Sequence, residues 1–184
     1  MIGLFIGSFN PPTLAHMDIV NKLKKRYEKI VLVPVNSKEK HLICFNDRIN
    51  MLSLLKKDDS KILIDDLAKD YAYLNYRIID LLKKKYHQIE IIIGSDILEK
   101  MSSFDNYKYL LENYSFVVIT RKKMDIKKII QDKYYNYQDK FTIINYHNDI
   151  SSTMARKYLK EGKDTQGILD KDVYDYIKNK HIYF

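Results

Sequence analysis

The sequence predicts an α/β protein: an open parallel sheet with helices on both faces. Three observations lead there. Short apolar, β-branched runs alternate with amphipathic stretches of helical period along the whole chain, as repeated βαβ units do. No internal repeat or low-complexity linker breaks the alternation. The most unusual segments, rich in glycine, proline and serine, directly follow predicted strands. In open sheets of this class, ligands bind outside the carboxyl ends of the strands.

The elements follow in order. Residues 2–6 form a buried strand. A helix over 15–27 comes next, with Met17, Ile19, Val20, Leu23 and Tyr27 at near-helical spacing. A strand over 30–35 leads to a helix over 46–55, for which Asn46 is the expected N-cap. Residues 61–64 make a short strand, and 74–86 a helix carrying Ile78, Ile79, Leu81 and Leu82. The strand over 89–93 is β-branched except for Glu90. Then come a helix over 107–113, a strand over 116–120, a helix over 126–133 and a strand over 141–144. Two helices, 151–161 and 170–179, finish the chain. Crossovers between parallel strands are expected to be right-handed.

The 184 residues suit one domain, 1–184, and 46% hydrophobic residues supply a core while 30% charged residues supply a wetted surface. No apolar run approaches the roughly 18–20 residues that span a bilayer. The apolar start, Met1 to Gly7, lacks a basic flank and a cleavage site, so it reads as a strand rather than a signal peptide. No membrane partner is expected. A single cysteine, Cys44, rules out an internal disulfide and a cysteine-rich metal site. The cytoplasm is the expected compartment. No H-x-x-H, C-x-x-C or carboxylate-rich motif predicts a metal held by the protein alone. The net charge of +8 is compatible with a phosphorylated substrate or a nucleic acid. Most basic runs, such as Lys22–Arg26 and Lys83–Lys85, lie at predicted helix ends, where cations complement the dipole. The sixteen tyrosines show no ribonucleoprotein-like pattern, so nucleic acid is not an expected partner.

Three segments carry chemistry. After the first strand, Gly7-Ser8-Phe9-Asn10-Pro11-Pro12 makes a stiff turn, with Gly7 allowing close approach of a phosphate. Thr13 falls at the helix entrance and His16 three residues on, so both side chains share one face of the first turn. A helix N-terminus offers free N–H groups to an anion, and a hydroxyl and an imidazole beside it can donate to phosphate oxygens. The plainer alternative is a turn with a capping threonine and an incidental histidine. The second segment, Ile150-Ser151-Ser152-Thr153-Met154-Ala155-Arg156, opens a helix. Hydroxyls, free N–H groups and a guanidinium together suit a polyphosphate. The alternative is a serine-capped helix with a surface arginine. The third, Ile93-Gly94-Ser95-Asp96, ends the fourth strand, and Asp96 there can receive a ribose hydroxyl or act as an N-cap. Arg121 follows the fifth strand, as a nucleotide contact or an exposed loop arginine.

Gly7 to His16 resembles the H/T-x-G-H signature of the nucleotidyltransferase superfamily, Ser151 to Arg156 its I-S-S-T-x-x-R, and Ile93 to Asp96 its I-G-A/S-D. Arg121 is similar to the arginine of its V-V-x-x-R segment. The resemblance implies a Rossmann-like sheet, with the helices over 151–179 completing an ATP site. It implies ATP contacts at Gly7, Ser8, Phe9, His16, Gly94, Asp96, Arg121, Ile150, Ser151, Ser152 and Arg156. His16 and Thr13 take the catalytic role, and Mg²⁺ arrives with the ATP phosphates. Ala15 stands where glycine is usual. Its methyl is expected to crowd the adenosine or shift the helix.

Within the superfamily, Ser8 and Thr13 look like the phosphopantetheine adenylyltransferases. More of the chain is similar to the nicotinate-nucleotide adenylyltransferases: Pro11-Pro12, Val33-Pro34-Val35 with Lys38–His41 and Arg48–Met51, and the tail from Leu169 through Ile177 to Ile182-Tyr183. That family's S-Y-T-x-D-T-L aligns near Asp70–Tyr76, where Ala72 replaces threonine and Leu74 aspartate. Its stacking tryptophan is absent, with Phe104 the nearest aromatic replacement. The resemblance implies adenylyl transfer from ATP to nicotinate mononucleotide, with Asn10, Lys40, Arg48, Ala72 and Phe104 around the acceptor. Two alternatives stay open: a phosphopantetheine acceptor, and a non-catalytic nucleotide- or nucleic-acid-binding module. Whether the chain forms a homo-oligomer is also left open.

Overall fold

A computed structural model describes residues 1–36, 42–71, 75–120 and 124–184. Its strands are β1 (Ile2–Gly7), β2 (Lys29–Pro34), β3 (Ile62–Ile64), β4 (Ile89–Gly94), β5 (Phe116–Ile119) and β6 (Phe141–Ile144). They form one six-stranded sheet in the order β3-β2-β1-β4-β5-β6. Every pairing is parallel. The described α-helices are α1 (Leu14–Leu23), α2 (Phe45–Lys56), α3 (Tyr76–Tyr86), α4 (Ser95–Lys100), α5 (Tyr107–Asn113), α6 (Ile126–Lys133), α7 (Ser152–Lys160) and α8 (Lys171–Asn179). This is the expected α/β, Rossmann-like architecture.

Strand alternation sends neighbouring side chains to opposite faces. Leu4, Ile6, Ile91, Ile93, Phe116 and Val118 join one buried cluster with Ile78 and Leu82 of α3, Leu98 of α4, Leu110 of α5 and Ile130 of α6. Phe5, Ile30, Leu32, Ile92 and Val117 join another with Ala15, Ile19 and Leu23 of α1 and Leu52 of α2. A third cluster packs α7 (Ala155, Leu159) and α8 (Val173, Ile177) on Met51 and Leu55 of α2. Both faces of the sheet are therefore covered, and α7 and α8 dock on α2 as an outer layer.

Four local expectations are corrected. Helix α1 stops at Leu23, not 27. Tyr27 instead lies against Gly3, where a Cβ would sit 2.9 Å from its ring, and donates to Glu90 at 2.6 Å. Arg26 forks onto the same carboxylate at 2.9 and 3.0 Å, which explains the one acidic residue in β4. The N-cap of α2 is Cys44, not Asn46, which lies within the helix. Helix α4 and a 3-10 turn over Met101–Ser103 fill a stretch with no predicted element, because six residues are too few to show a period. A second 3-10 segment, Tyr135–Lys140, precedes β6. Among the described residues no helix is long and apolar enough to cross a membrane.

Candidate active site

The chain runs outward from β1 through β2 to β3, then returns to lay β4 on the other side of β1. Between β1 and β4 the connections diverge, and a crevice opens at their carboxyl ends. It is a cleft of about 720 Å³, lined by residues 5–10 and His16 from the first loop and α1, residues 94–97 and Glu99 after β4, and Ser151–Thr153 with Arg156 from α7. Leu42 and Met124 also line it. The three segments singled out in the sequence thus meet in one place, although more than 140 positions separate Asn10 from Arg156.

The first loop is braced from within. Phe9 takes a left-handed φ of 45°, and its ring folds back so that a Cβ on Gly7 would lie 3.3 Å from it. The ring also packs 5.5 Å from Phe5 and 5.1 Å from His16, centroid to centroid. The Asn10–Pro11 peptide is cis. Thr13 is the N-cap of α1, and its backbone N–H donates to His16 Nδ1 at 2.9 Å. The Thr13 hydroxyl lies at the same nitrogen, also 2.9 Å away. His16 thereby takes the place glutamate holds in a capping box. An amide N–H can only donate, so Nδ1 accepts and the ring proton sits on Nε2. Thr13 is fully buried and does not line the cleft; it lies behind His16. At the start of α1, Leu14 N–H donates to the Ile168 carbonyl and His16 N–H to the Thr13 carbonyl, each at 3.0 Å, so these two amides are not free for an anion. Ala15 is 1% exposed within the core cluster under α1, and its methyl does not line the cleft.

Helix α7 opens onto the cleft through its first turn. Ser151 caps it, accepting from Met154 N–H at 3.1 Å. The amides of Ser152 and Thr153 belong to the first turn, whose N–H groups have no intrahelical partner. The Ser152 hydroxyl donates to the Pro11 carbonyl at 2.8 Å. Arg156 Nη1 donates to the Asn10 carbonyl at 2.6 Å and Nη2 to Thr153 Oγ1 at 3.2 Å. These bonds lock α7 to the first loop and leave the guanidinium at the cleft wall. Ile150 turns its side chain into the core, outside the lining, and its N–H meets Asn148 Oδ1 at 2.8 Å.

At the end of β4, glycine serves the neighbouring aspartate. A Cβ on Gly94 would fall 2.5 Å from Asp96 Oδ1, so only glycine lets that carboxylate fold over the strand end. Sequence reasoning gave no role to Phe5, Ile6, Ile97, Glu99, Leu42 and Met124 of the lining, and took in Ser95 and Thr153 only as members of their segments. Glu99 was within reach: it lies four residues after Ser95 on one face of α4, had that short helix been recognised. Leu42 and Met124 carry no local signal.

Of the residues expected around the acceptor, Asn10, Arg48 and Phe104 are described, and they lie in different surroundings. Asn10 lines the cleft. Arg48 does not. It is fully buried, donating through Nη1 to the carbonyls of Ser8 (2.7 Å) and Val35 (2.9 Å) and through Nη2 to Asn36 Oδ1 (2.5 Å). Its Nε has no hydrogen-bond partner among the described residues, and burial depresses its pKa. Arg48 therefore ties the first loop to the end of β2. Phe104 is half-buried against the core and outside the lining. Lys40, Ala72 and Arg121 lie outside the described residues.

The chain is similar to known proteins along almost its whole length. Residues 4–158 match the family described as cytidylyltransferase-like. A protein of Acholeplasma laidlawii named probable nicotinate-nucleotide adenylyltransferase is 31% identical, covering 100% of this chain and 97% of its own length. One of the same name from Fusobacterium nucleatum is 30% identical over 98% of each chain. The structure of Plasmodium falciparum nicotinic acid mononucleotide adenylyltransferase complexed with NaAD superposes with a TM-score of 0.82 at 25% identity, covering 99% of this chain and 96% of that one. The same enzyme complexed with APC gives a TM-score of 0.79, with the same identity and coverage.

Proposed function

This chain belongs to the cytidylyltransferase-like family, and from that membership and its full-length relatives we propose that it transfers the adenylyl group of ATP to nicotinate mononucleotide, giving deamido-NAD and pyrophosphate. The observation that carries this reading is the convergence of His16, Asp96, the start of α7 and Arg156 on one switch-point cleft. In this reading residues 1–184 work as one domain, with α7 and α8 completing the ATP site.

The acceptor's 5′-phosphate oxygen attacks the α-phosphorus in line. A P–O bond forms to the acceptor, the bond to the bridging α–β oxygen breaks, and the electron pair leaves with pyrophosphate. The nucleophile is already anionic, so the protein's work is positioning and charge stabilisation. His16 donates from Nε2 to a non-bridging α-phosphate oxygen, with Thr13 fixing the tautomer from behind. The first-turn amides of α7 and Arg156 receive the β- and γ-phosphates, and Asp96 receives a ribose hydroxyl. Nucleotidyltransferases of this kind commonly use a divalent metal with ATP, and Mg²⁺ is the metal proposed here. No group of three or more His, Cys, Asp or Glu among the described residues could hold a metal. An ion carried in by phosphate oxygens and water would supply charge neutralisation. The NaAD bound to the Plasmodium enzyme has the form of the product this transfer makes.

The test is pyrophosphate release from Mg-ATP with nicotinate mononucleotide, nicotinamide mononucleotide or phosphopantetheine. Turnover is expected with a pyridine mononucleotide, and His16→Ala is expected to lower kcat about 10²- to 10³-fold. Turnover with phosphopantetheine alone would overturn the assigned acceptor, and undiminished turnover in His16→Ala would overturn the role of the imidazole.

A further inference from the structure

After α8 the chain turns back on itself: Ile182 N–H donates to the Ile177 carbonyl at 3.1 Å. His181 and Tyr183 adopt left-handed φ values of 51° and 69°, a region costly for residues with a Cβ. Such strain persists only where the surroundings hold it. The Tyr183 ring packs into the cluster that joins α2, α7 and α8, and its hydroxyl reaches Asn10 Oδ1 at 2.5 Å, across 173 positions of sequence.

We propose that Tyr183 is a positioning residue for the active site: its hydroxyl fixes the Asn10 amide and, through the Asn10 backbone, the seat of Arg156.

Asn10 is 2% exposed and lines the cleft. Its Oδ1 takes the Tyr183 hydroxyl at 2.5 Å and the Ile43 N–H at a long 3.4 Å. Its carbonyl takes Arg156 Nη1 at 2.6 Å. One residue of the first loop is thus gripped at its side chain by the tail and at its backbone by α7. The hydroxyl is not needed to dock α8, because Tyr176 already bonds Asp47 Oδ1 at 2.7 Å and Val173 and Ile177 are fully buried. Burial pushes the pKa of the Tyr183 hydroxyl up and outweighs the Arg156 and Arg48 cations, which lower it, while the Asp47 carboxylate raises it further. The group therefore remains a donor throughout the working pH range.

The kinetic arm of the test rests on the function proposed above; the structural arm does not. Tyr183→Phe keeps the ring and removes one oxygen. In the full chain without nucleotide, backbone hydrogen exchange of residues 7–16 is expected to rise several-fold while that of β5 is unchanged. In pyrophosphate release with Mg-ATP and nicotinate mononucleotide, kcat/KM for ATP is expected to fall about tenfold, the scale of one buried hydrogen bond. In an Asn10→Ala background, Tyr183→Phe is expected to add less than about twofold, since a residue acting through Asn10 has nothing left to act on. Unchanged loop exchange in Tyr183→Phe, or a full tenfold loss in the Asn10→Ala background, overturns the proposal. If the unaltered chain transfers no adenylyl group, the functional reading fails, and the exchange comparison still decides the role of Tyr183.

Discussion

Ala15→Gly separates two accounts of the residue that departs from the superfamily pattern. If the methyl faced the nucleotide, removing it would tighten ATP binding. The structure puts it 1% exposed among Phe5, Phe9 and Ile19, at the second residue of α1. Removing a buried methyl costs about 0.8 kcal/mol of transfer free energy. Glycine in a helix costs up to about 1 kcal/mol relative to alanine, less in the first turn than in the interior. Together the loss is about 1.5 kcal/mol. For a chain of this length that lowers Tm by about 3–6 °C. The assay is a thermal melt beside a steady-state titration of ATP. A Tm within 1 °C of the parent, or a KM for ATP several-fold lower, would refute the reasoning. The first result would mean the methyl is not packed in the core, and the second that it meets the nucleotide.

Arg48→Met is expected to cost about 2–4 kcal/mol in urea unfolding: it strands the three acceptors that the guanidinium now satisfies, while relief of a buried cation offsets part of that. Arg48→Lys should recover less than half, because an ammonium cannot fork between them. A variant as stable as the parent but with a raised KM for the acceptor would instead place Arg48 against substrate. For Asp65, burial pushes the carboxyl up, but hydrogen bonds from Lys85, Tyr86 and Leu67 N–H outweigh it and hold the pKa below the usual range. A depressed folded pKa contributes stability above the unfolded value of about 4 that is lost as pH falls through the folded one. Melts between pH 6 and pH 3 should therefore fall more steeply for the parent than for Asp65→Asn, and parallel slopes would remove the assignment.

Much of the scaffold was legible because its signals are local. Period-two runs and period-3.6 stretches report which stretches pair in sheets and which coil, so all six described strands were anticipated, to within a residue or two at their ends. Glycine, proline and serine after strands report turn and cap chemistry, and the three segments they mark line one cleft. Other features could not be resolved from spacing. A six-residue helix such as α4 is shorter than any period can reveal. The helical spacing of Thr13 and His16 put both on one face, yet only packing decided that Thr13 stands behind the imidazole and sets its tautomer. The place of Arg48 in a motif said nothing of its three acceptors, two of them backbone carbonyls from separate strand ends.

The sequence by itself determined the alternation of strands and helices, the parallel sheet and the segments that carry chemistry, because each depends on neighbours a few residues apart. The tertiary structure alone decided the strand order that opens the crevice between β1 and β4, the direction of the Ala15 methyl, and the grip of Arg156 and Tyr183 on Asn10. Those depend on groups brought together across the chain, where burial and hydrogen-bond satisfaction, rather than local spacing, select the partner.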